Sequence, residues 1–479
     1  MPRSLREVCS FVHVSSEAGL EMLGETLSHE RIAGVLQACG MQETRQRKLP
    51  MVLVVWLIVA MNLFADQAME DVLRQLLRGA RFLRPELCPT PASKGAISQR
   101  RAQLGLGPLV SLFYQVCRPL ATPDTLGAFE FGLRVMALDG TTEDVADTPA
   151  NARFFGYAGG RRGHSAFPQM DLVYLCECGT HAIVDVDCWA CQGKERTHVR
   201  RLLRSVGPDM LVLWDAGLTS YDLAAGCVEQ GAQFLCRVAR RFRLAAIQSF
   251  PDGSYLAEMR PSDYERRKTG ARLLVRVIEY RLDDPGRPGH GQTRRLITSL
   301  LDSAQAPAPA VVQAYHERWE LEMTIDEIDT HQRRPRQPLR SHTPMGVLQE
   351  VYGLLLAHYA VRAVMHQAAL RANVAPDRLS FIKTVRILRS ALLEAQIVAR
   401  AQFVQWYDQL LAEIGAGRLP QRDNRCNPRV VRRKMSNFDL KRDKHRQAPQ
   451  PTKAFADAVV ILGAVLDELQ PAQAEAALI

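Results

Sequence analysis

The order of apolar runs between residues 130 and 240 constrains the fold of this chain more than any other feature. Five short apolar runs and two helical patterns follow one another as 133–138, 170–176, 183–188, 195–203 (helical), 210–214, 221–229 (helical) and 234–238. Apolar runs of this length predict strands, and Gly179 and Thr180 predict a hairpin turn between the second and third. Strands that alternate with helices in this way are typical of a mixed α/β sheet.

The region before this sheet has helical patterns. Residues 51–65 are almost wholly apolar and follow Pro50, which suits the start of a helix. The run is shorter than the roughly 20 residues that cross a bilayer, so it predicts a buried core helix. Asp66 is expected to cap the next helix, and Ser93 a third one with a basic face. That face either lies on DNA or is simply solvated.

Two further patterns follow the sheet. Residues 240–307 alternate apolar and polar positions between loops rich in Pro, Gly and Asp, which predicts an antiparallel insertion. Helical patterns return from residue 309, at 347–365 and at 382–414. A polar, basic stretch at 418–446 then precedes residues 455–469, where a mostly apolar pattern predicts a closing helix.

Composition restricts the function classes. A chain of 479 residues is expected to form two or three structural units. The net charge of +10 favours a polyanionic partner, because Lys and Arg bound to phosphates release counterions. Eleven cysteines, an odd number without regular spacing, argue against a secreted disulfide scaffold. With no export-signal pattern near residue 1, we expect a cytoplasmic protein without a membrane partner.

Two aspartates stand at points where catalytic carboxylates are found. Asp139 follows the apolar residues 135–138, and Asp215 follows 210–214, so both are expected at the C-terminal ends of buried strands. Sites form at such ends in open α/β sheets, although Asp also begins turns there for purely structural reasons. Together with a third carboxylate they would hold two divalent cations about 3.5–4 Å apart. Such a pair activates a water or a 3′-hydroxyl for in-line attack on a phosphodiester.

The third carboxylate is expected on the helix that contains Tyr315, Arg318 and Glu322. These three positions fall on one face by the helical repeat. Spacing by itself does not choose Glu322, because Asp326 shares the face. Three further acidic residues of the segment are Glu317, Glu320 and Glu327.

A family resemblance makes the choice. Tyr315, Arg318 and Glu322 match a signature of Tyr, two residues, Arg, three residues, Glu, six residues and Lys. Further similar segments are 138–141, 214–217, 276–280, 296–298, 340–350 and 427–429. Over residues 20–435 the chain resembles the DDE transposases of bacterial insertion sequences, specifically insertion-sequence family four. It departs from the signature at position 329, where Asp329 replaces the Lys that the family associates with transposon-end DNA; Arg333 or Arg334 is a candidate substitute.

The resemblance implies an architecture. It implies an RNase H-like catalytic core of mixed α/β class, interrupted by an antiparallel β insertion and flanked by helical regions at both ends. The expected parts are a DNA-binding domain at 1–120, the first part of the core at 130–238 and the insertion at 239–308. The second part of the core, with the Glu helix, is expected at 309–400 and a basic, helical C-terminal region at 401–479.

The resemblance also implies an activity. Asp139, Asp215 and Glu322 would bind two Mg²⁺ ions, for which Mn²⁺ would be able to substitute. Tyr315 and Arg318 would bind DNA phosphates, and Trp319 would either support a displaced base or fill the core. The expected partners are double-stranded DNA, as terminal inverted repeats and target, and a second copy of the chain in a synaptic homodimer. The reaction would nick the transposon end, form a hairpin and transfer the strand.

Two other functions remain open from the sequence. One is a catalytically inactive, transposase-derived DNA-binding protein, impaired at Asp329. The other is a different RNase H-like nuclease, which cuts DNA without joining it. The first predicts salt-sensitive DNA binding with no metal-dependent cleavage.

Overall fold

The chain forms two compact units. A computed structural model describes residues 23–43, 49–78, 92–160, 163–191, 193, 195–239, 242–262, 268, 270–333, 337–420, 431–432, 439–440 and 450–463. The described parts of 1–129, 136–205 and 319–419 form the first unit, and those of 130–135, 206–318 and 420–479 form the second.

The described part of the first unit begins with a 3-10 helix (Gly24–Leu27). The described α-helices that follow are α1 (His29–Ala38), α2 (Met51–Leu63), α3 (Met69–Leu76), α4 (Lys94–Leu104) and α5 (Gly107–Val116). Helix α2 is buried at every position except Val52, which confirms the predicted core helix. Burying one large aliphatic side chain contributes about 1.5–3 kcal/mol, so α2 is a main source of stability in this unit. No helix in the described ranges combines the length and apolarity needed to span a bilayer.

The N-terminal caps follow the prediction in one case only. Ser93 caps α4, where its hydroxyl accepts a hydrogen bond from the Ala96 backbone N–H at 3.3 Å. Asp66 is not a cap, because α3 begins after Ala68 and the Asp66 carboxylate pairs with Arg389 instead. Two basic side chains of α4 serve internal contacts: Arg100 pairs with Glu43, and Arg101 donates to the Gly346 carbonyl at 3.4 Å.

The next elements are β1 (Phe129–Glu130), β2 (Leu133–Asp144), α6 (Pro149–Phe155), β3 (Gly159–Gly160), β4 (Gly163–His164), β5 (Gln169–Glu177), β6 (Ala182–Ala190) and α7 (Glu195–Arg201). Strands β6, β5 and β2 lie side by side and antiparallel in the first unit, with the predicted hairpin between β5 and β6. A bulge between Leu175 and Cys176 shifts the β5–β6 register.

The second unit contains β7 (Met210–Trp214), α8 (Tyr221–Glu229), β8 (Gln233–Arg237), β9 (Gln248–Ser249), β10 (Tyr255–Met259), β11 (Leu273–Leu282), β12 (Arg294–Thr298) and α9 (Ala308–His316). Strands β7 and β8 are parallel and joined through α8, and β7 is buried at all five positions. Strands β12, β11, β10 and β9 continue from β8 in antiparallel order, which confirms the predicted insertion.

The chain then returns to the first unit with α10 (Trp319–Asp326), a π-helical segment (Glu327–Gln332), α11 (Pro344–Ala372), α12 (Phe381–Ile397) and α13 (Phe403–Gly415). The helical pattern at 382–414 therefore forms two helices rather than one, separated at Val398. Helix α11 packs closely on α2 at Gly353, where a Cβ atom would lie 2.6 Å from Ile58 Cγ2. Only glycine permits this approach.

The last described elements are β13 (Val431–Arg432), β14 (Asp439–Leu440), α14 (Phe455–Ala458) and β15 (Val459–Leu462). The predicted closing helix at 455–469 is wrong for residues 459–462, which pair antiparallel with the end of β11. These four residues are aliphatic, and a strand edge is available to them, so pairing prevails over the helical pattern. Residues 464–479, 427–429 and most of the basic stretch at 418–446 lie outside the described residues.

The predicted fold class is confirmed. The first unit contains three antiparallel strands. The second contains the parallel pair β7–β8, and within it the Arg134 N–H donates to the Asp209 carbonyl at 2.8 Å. These are the parts of an RNase H-like mixed sheet. An antiparallel insertion follows them, and helical regions flank them.

Candidate active site

Asp139 lies in the middle of β2, not at its end. The strand continues to Asp144 because β5 is long enough to pair with it as far as Gln169. The buried part of the strand ends at Leu138, because residues 135–138 are buried and Asp139 is half-buried. The Asp139 carboxylate accepts a hydrogen bond from the Gly140 N–H at 2.9 Å. The sequence pattern therefore detected the edge of the buried layer rather than the end of the strand.

The helical segment that carries Glu322 lies across the strand face that bears Asp139. Side chains on one strand face recur every two residues, so Asp139 and Glu143 share a face, together with Cys176 on β5 opposite Ala137. Thr324 Oγ1 of α10 lies 3.6 Å from Cys176 Sγ. Arg333, which directly follows the π-helical continuation of this segment, forms an ion pair with Glu143. Two separate contacts thus place this helical segment over the Asp139 face.

Glu322 is half-buried in the first turn of α10, next to the buried Leu321. The prediction that Tyr315, Arg318 and Glu322 share a face of one helix is wrong, because α9 ends at His316 and α10 begins at Trp319. The backbone N–H of Arg318 bonds three residues back, to the Tyr315 carbonyl at 3.3 Å, as in a tight turn. Tyr315 and Arg318 belong to the second unit and Glu322 to the first.

Asp215 directly follows β7, as predicted. Its Oδ1 accepts hydrogen bonds from the backbone N–H groups of Gly217 at 2.8 Å and Leu218 at 3.2 Å. Thr219 closes the turn by donating to the Asp215 carbonyl at 3.0 Å. A Cβ at position 217 would lie 3.1 Å from Asp215 Oδ1, so glycine gives this carboxylate its room. Both backbone donors use Oδ1, and Oδ2 is the oxygen that a cation would bind.

The predicted DNA-contacting residues are in different surroundings. Burial raises the pKa of the Tyr315 hydroxyl more than Arg318 lowers it, so the hydroxyl is a neutral hydrogen-bond donor at neutral pH. Trp319 is 52% exposed, which rules out the alternative of a core tryptophan. Arg333 is 11% exposed and bonds to Glu143 and to the Gln337 carbonyl at 2.8 Å. Arg334 lies outside the described residues.

The departure at position 329 has a structural context that the sequence did not reveal. Burial raises the pKa of the Asp329 carboxyl, and the neighbouring Glu143 raises it further. Arg333 lies 3.9 Å from Asp329 and pairs with Glu143. Asp329 is therefore part of an internal cluster over the Asp139 face. The sequence offered one indication of this cluster: Asp139 and Glu143 are four residues apart, a spacing that puts two side chains on one face of a strand.

The donor chemistry fits a hard divalent cation, since Asp139, Asp215 and Glu322 offer carboxylate oxygens. Within the described ranges, no three His, Cys, Asp or Glu side chains surround a common point in a metal-binding arrangement. The convergence of the three carboxylates stays a prediction.

Comparisons with known proteins cover most of the chain. A family model described as "Insertion element 4 transposase N-terminal" matches residues 17–114, and one described as "Transposase DDE domain" matches residues 130–359. The chain is 26% identical over 421 residues to the transposase InsG for insertion sequence element IS4 of Escherichia coli (strain K12), covering 86% of this chain and 92% of that protein. It is 24% identical over 212 residues to InsZ of the same organism, covering 44% of this chain and 68% of that protein.

Among solved structures, the chain is similar to a cryo-EM structure of the piggyBac transposase synaptic complex with hairpin DNA, with 12% identity and a TM-score of 0.40. The similarity covers 83% of this chain and 85% of that one.

Proposed function

Because the chain belongs to the DDE transposases of insertion-sequence family four, we propose that Asp139, Asp215 and Glu322 are the carboxylates with which it cuts and joins DNA. The observation that carries this proposal is the placement of the Glu322 helical segment over the Asp139 face of β2. Asp215 supports it with a carboxylate held at the C-terminal end of a buried strand.

DDE transposases use divalent metal ions, and the three carboxylates are the groups that would hold them here. When bound, the ions lower the pKa of the attacking hydroxyl and stabilise charge on the leaving oxygen. We take Mg²⁺ as the natural ion, with Mn²⁺ as a substitute, because hard cations of this size prefer oxygen ligands. The protein's own part is to hold Asp215 Oδ1 by two backbone N–H groups, which aims Oδ2.

The DNA-contacting roles rest on side-chain chemistry. Arg318 would bind a phosphate through the two parallel donors of its guanidinium. Tyr315 would donate a hydrogen bond from its neutral hydroxyl, and the exposed Trp319 ring would stack on a displaced base. Arg333 is a weaker candidate, since its guanidinium already pairs with Glu143.

The reaction that fits these parts is cut-and-paste transposition on double-stranded DNA, with terminal inverted repeats and a target as substrates. We propose that the freed 3′-hydroxyl forms a hairpin on the transposon end before strand transfer, and that two copies of the chain join two ends in a synaptic dimer. A cytoplasmic setting agrees with this substrate and with the cysteine usage.

The test compares Asp139→Asn, Asp215→Asn and Glu322→Gln with the matched control Asp326→Asn. Asp326 is an exposed acidic residue of the same helix as Glu322. By helical spacing alone it was an equal candidate for the third carboxylate. On duplex DNA that carries the element's own ends, with Mg²⁺ or Mn²⁺, each of the three variants should lose nicking and strand transfer by at least about a thousandfold. The control should keep the wild-type rate, and all four should keep end binding.

Full activity in any of the three active-site variants would refute the assignment. The alternative of a catalytically silent DNA-binding protein predicts that the wild-type chain binds ends in a salt-sensitive way and never cuts them. Cleavage without joining would instead favour an RNase H-like nuclease.

A further inference from the structure

The helix that carries Glu322 changes its geometry five residues later. Helix α10 gives way at Glu327 to a π-helical segment that runs to Gln332. Stretches of π-helix are rare and occur preferentially at functional sites. A local feature of this kind needs tertiary contacts that compensate for it.

Those contacts converge on the Glu327 carboxylate, which is buried. Arg362 Nε of α11 donates to Glu327 Oε2 at 2.9 Å, and Arg362 Nη2 also donates to Oε1. His358 Nε2, one turn earlier on α11, lies 3.2 Å from Oε2. Burial raises the pKa of Glu327, but Arg362 and His181 outweigh it and hold the pKa well below its usual range. The carboxylate is therefore ionised inside the unit.

His181 connects this cluster to the first turn of α10. It lies at the β5–β6 turn, with Nδ1 3.2 Å from Glu327 Oε1 and Nε2 2.9 Å from Glu320 Oε2. One imidazole thus bonds to two carboxylates of the same helical segment, one on each side of Glu322. The backbone of His181 has φ +59°, a left-handed conformation that only surrounding structure maintains in a non-glycine residue.

The cluster is too buried to serve as a DNA-binding surface, because Arg362 and His358 are at most 1% exposed. A stabilising role alone does not account for it either, since buried ion pairs replaced by well-packed apolar side chains are often as stable or more stable. In some proteins buried charges instead specify one particular geometry. Here that geometry is the rotation and position of the segment that bears Glu322.

We propose that Glu327, Arg362 and His181 are positioning residues that hold α10 against α11 and the β5–β6 turn and so set the direction of the Glu322 carboxylate. This inference rests on the catalytic role proposed for Glu322. It assigns these three side chains to the rate of DNA cleavage and not to DNA binding.

The experiment uses the full chain with Glu327→Gln, Arg362→Met and the double variant. The matched control is Asp185→Asn, which removes another buried carboxylate of the same unit. Arg204 binds Asp185, and the described hydrogen bonds of Asp185 do not reach α10. Three quantities are measured: the single-turnover cleavage rate at saturating end DNA, the Kd for end DNA and the thermal midpoint.

At a temperature below its thermal midpoint, Glu327→Gln should lower the cleavage rate at least about tenfold. Its Kd for end DNA should stay within about twofold of the wild-type value. The double variant should regain thermal stability, because no uncompensated charge is left inside, yet keep the slow rate. Asp185→Asn should lose stability and cleave at the wild-type rate. Recovery of the rate together with stability in the double variant would overturn the inference, because the cluster would then act through stability alone.

If the double variant stays unstable, the deciding comparison is between the cleavage rates of Glu327→Gln and Asp185→Asn, measured at equal folded fraction. Equal rates in those two would also overturn it. Activity in Glu322→Gln would refute the proposed function itself, whereas an inactive Glu322→Gln with a fully active Glu327→Gln would refute only the positioning role.

Discussion

At the scale of single residues, Trp319 is a large aromatic side chain exposed in the same helix as Glu322. It is the first residue of α10, and 52% of it is exposed. A tryptophan seldom contributes to the core at such exposure, and its ring presents a face on which a base can stack. Glu322 follows three residues later in the same helix.

Trp319→Ala is expected to weaken productive engagement of the DNA end without unfolding the protein. Stacking on an aromatic ring is worth about 1–3 kcal/mol per base, or roughly a 5- to 150-fold loss, whereas exposed substitutions usually change stability by about 0.5 kcal/mol or less. Hairpin formation on denaturing gels and the thermal midpoint are the measurements. Trp319→Phe should keep most of the activity because a stacking face remains.

Phe154→Ala is the matched control for this prediction, since Phe154 is also an exposed aromatic residue of the first unit. An equal loss of hairpin formation in Phe154→Ala would mean that the effect of Trp319→Ala is not specific to α10.

At the scale of elements, the β insertion holds α9 through one carboxylate. Asp252 accepts hydrogen bonds from the Ser254 hydroxyl at 2.6 Å and from the Ala308 N–H at the start of α9 at 2.9 Å. It also pairs with Arg276, a fully buried cation of β11. Burial raises the pKa of Asp252, but hydrogen bonds from Ser254 and Ala308 and the charge of Arg276 bring it below its ordinary value.

The stability of the second unit should therefore fall on acidification. Because the folded pKa of Asp252 lies below the unfolded value of about 3.9, its contribution is complete above that pH and is lost as pH falls through the folded pKa. Asp252→Asn should cost about 3 kcal/mol at pH 7, since Arg276 loses its partner charge.

Urea unfolding between pH 7 and pH 2.5 measures this effect. Asp252→Asn should also flatten the acidic limb of the stability curve. An unchanged acidic limb would show that other carboxylates are responsible for it.

At the scale of the whole molecule, the net charge of +10 is the property that most affects encounter with DNA. Each phosphate neutralised by Lys or Arg releases counterions, so affinity falls linearly on a logarithmic salt scale. The internal pairing of Arg100, Arg333 and Arg362 shows that part of the positive charge is used within the fold.

End binding by the Asp139→Asn variant should weaken about 10³- to 10⁵-fold between 50 and 200 mM salt, as expected for about six to ten phosphate contacts. Fluorescence anisotropy measures the affinity, and the mass of the complex should correspond to two chains with two ends. Salt-independent binding would contradict the phosphate contacts. One chain per end at every concentration would contradict the proposed dimer.

The sequence by itself determined the features that depend on local patterns. Apolar runs gave the strands, the near-continuous run at 51–65 gave a buried helix, and the turn after β7 gave the place of Asp215. Burial on one face sets the spacing of apolar residues, and turns require particular residue types. Both can be recognised from the local sequence without knowing which elements pack together.

The tertiary structure alone decided where elements end and how they are held. Strand β2 runs past Asp139 because β5 pairs with it, and residues 459–462 form a strand because β11 offers an edge. The break between Tyr315 and Glu322 coincides with a boundary between units, and Glu327 of the π-helical segment accepts a hydrogen bond from Arg362, 35 residues further along. These outcomes depend on contacts with residues distant in sequence, and a local pattern of apolar and polar residues does not predict such contacts.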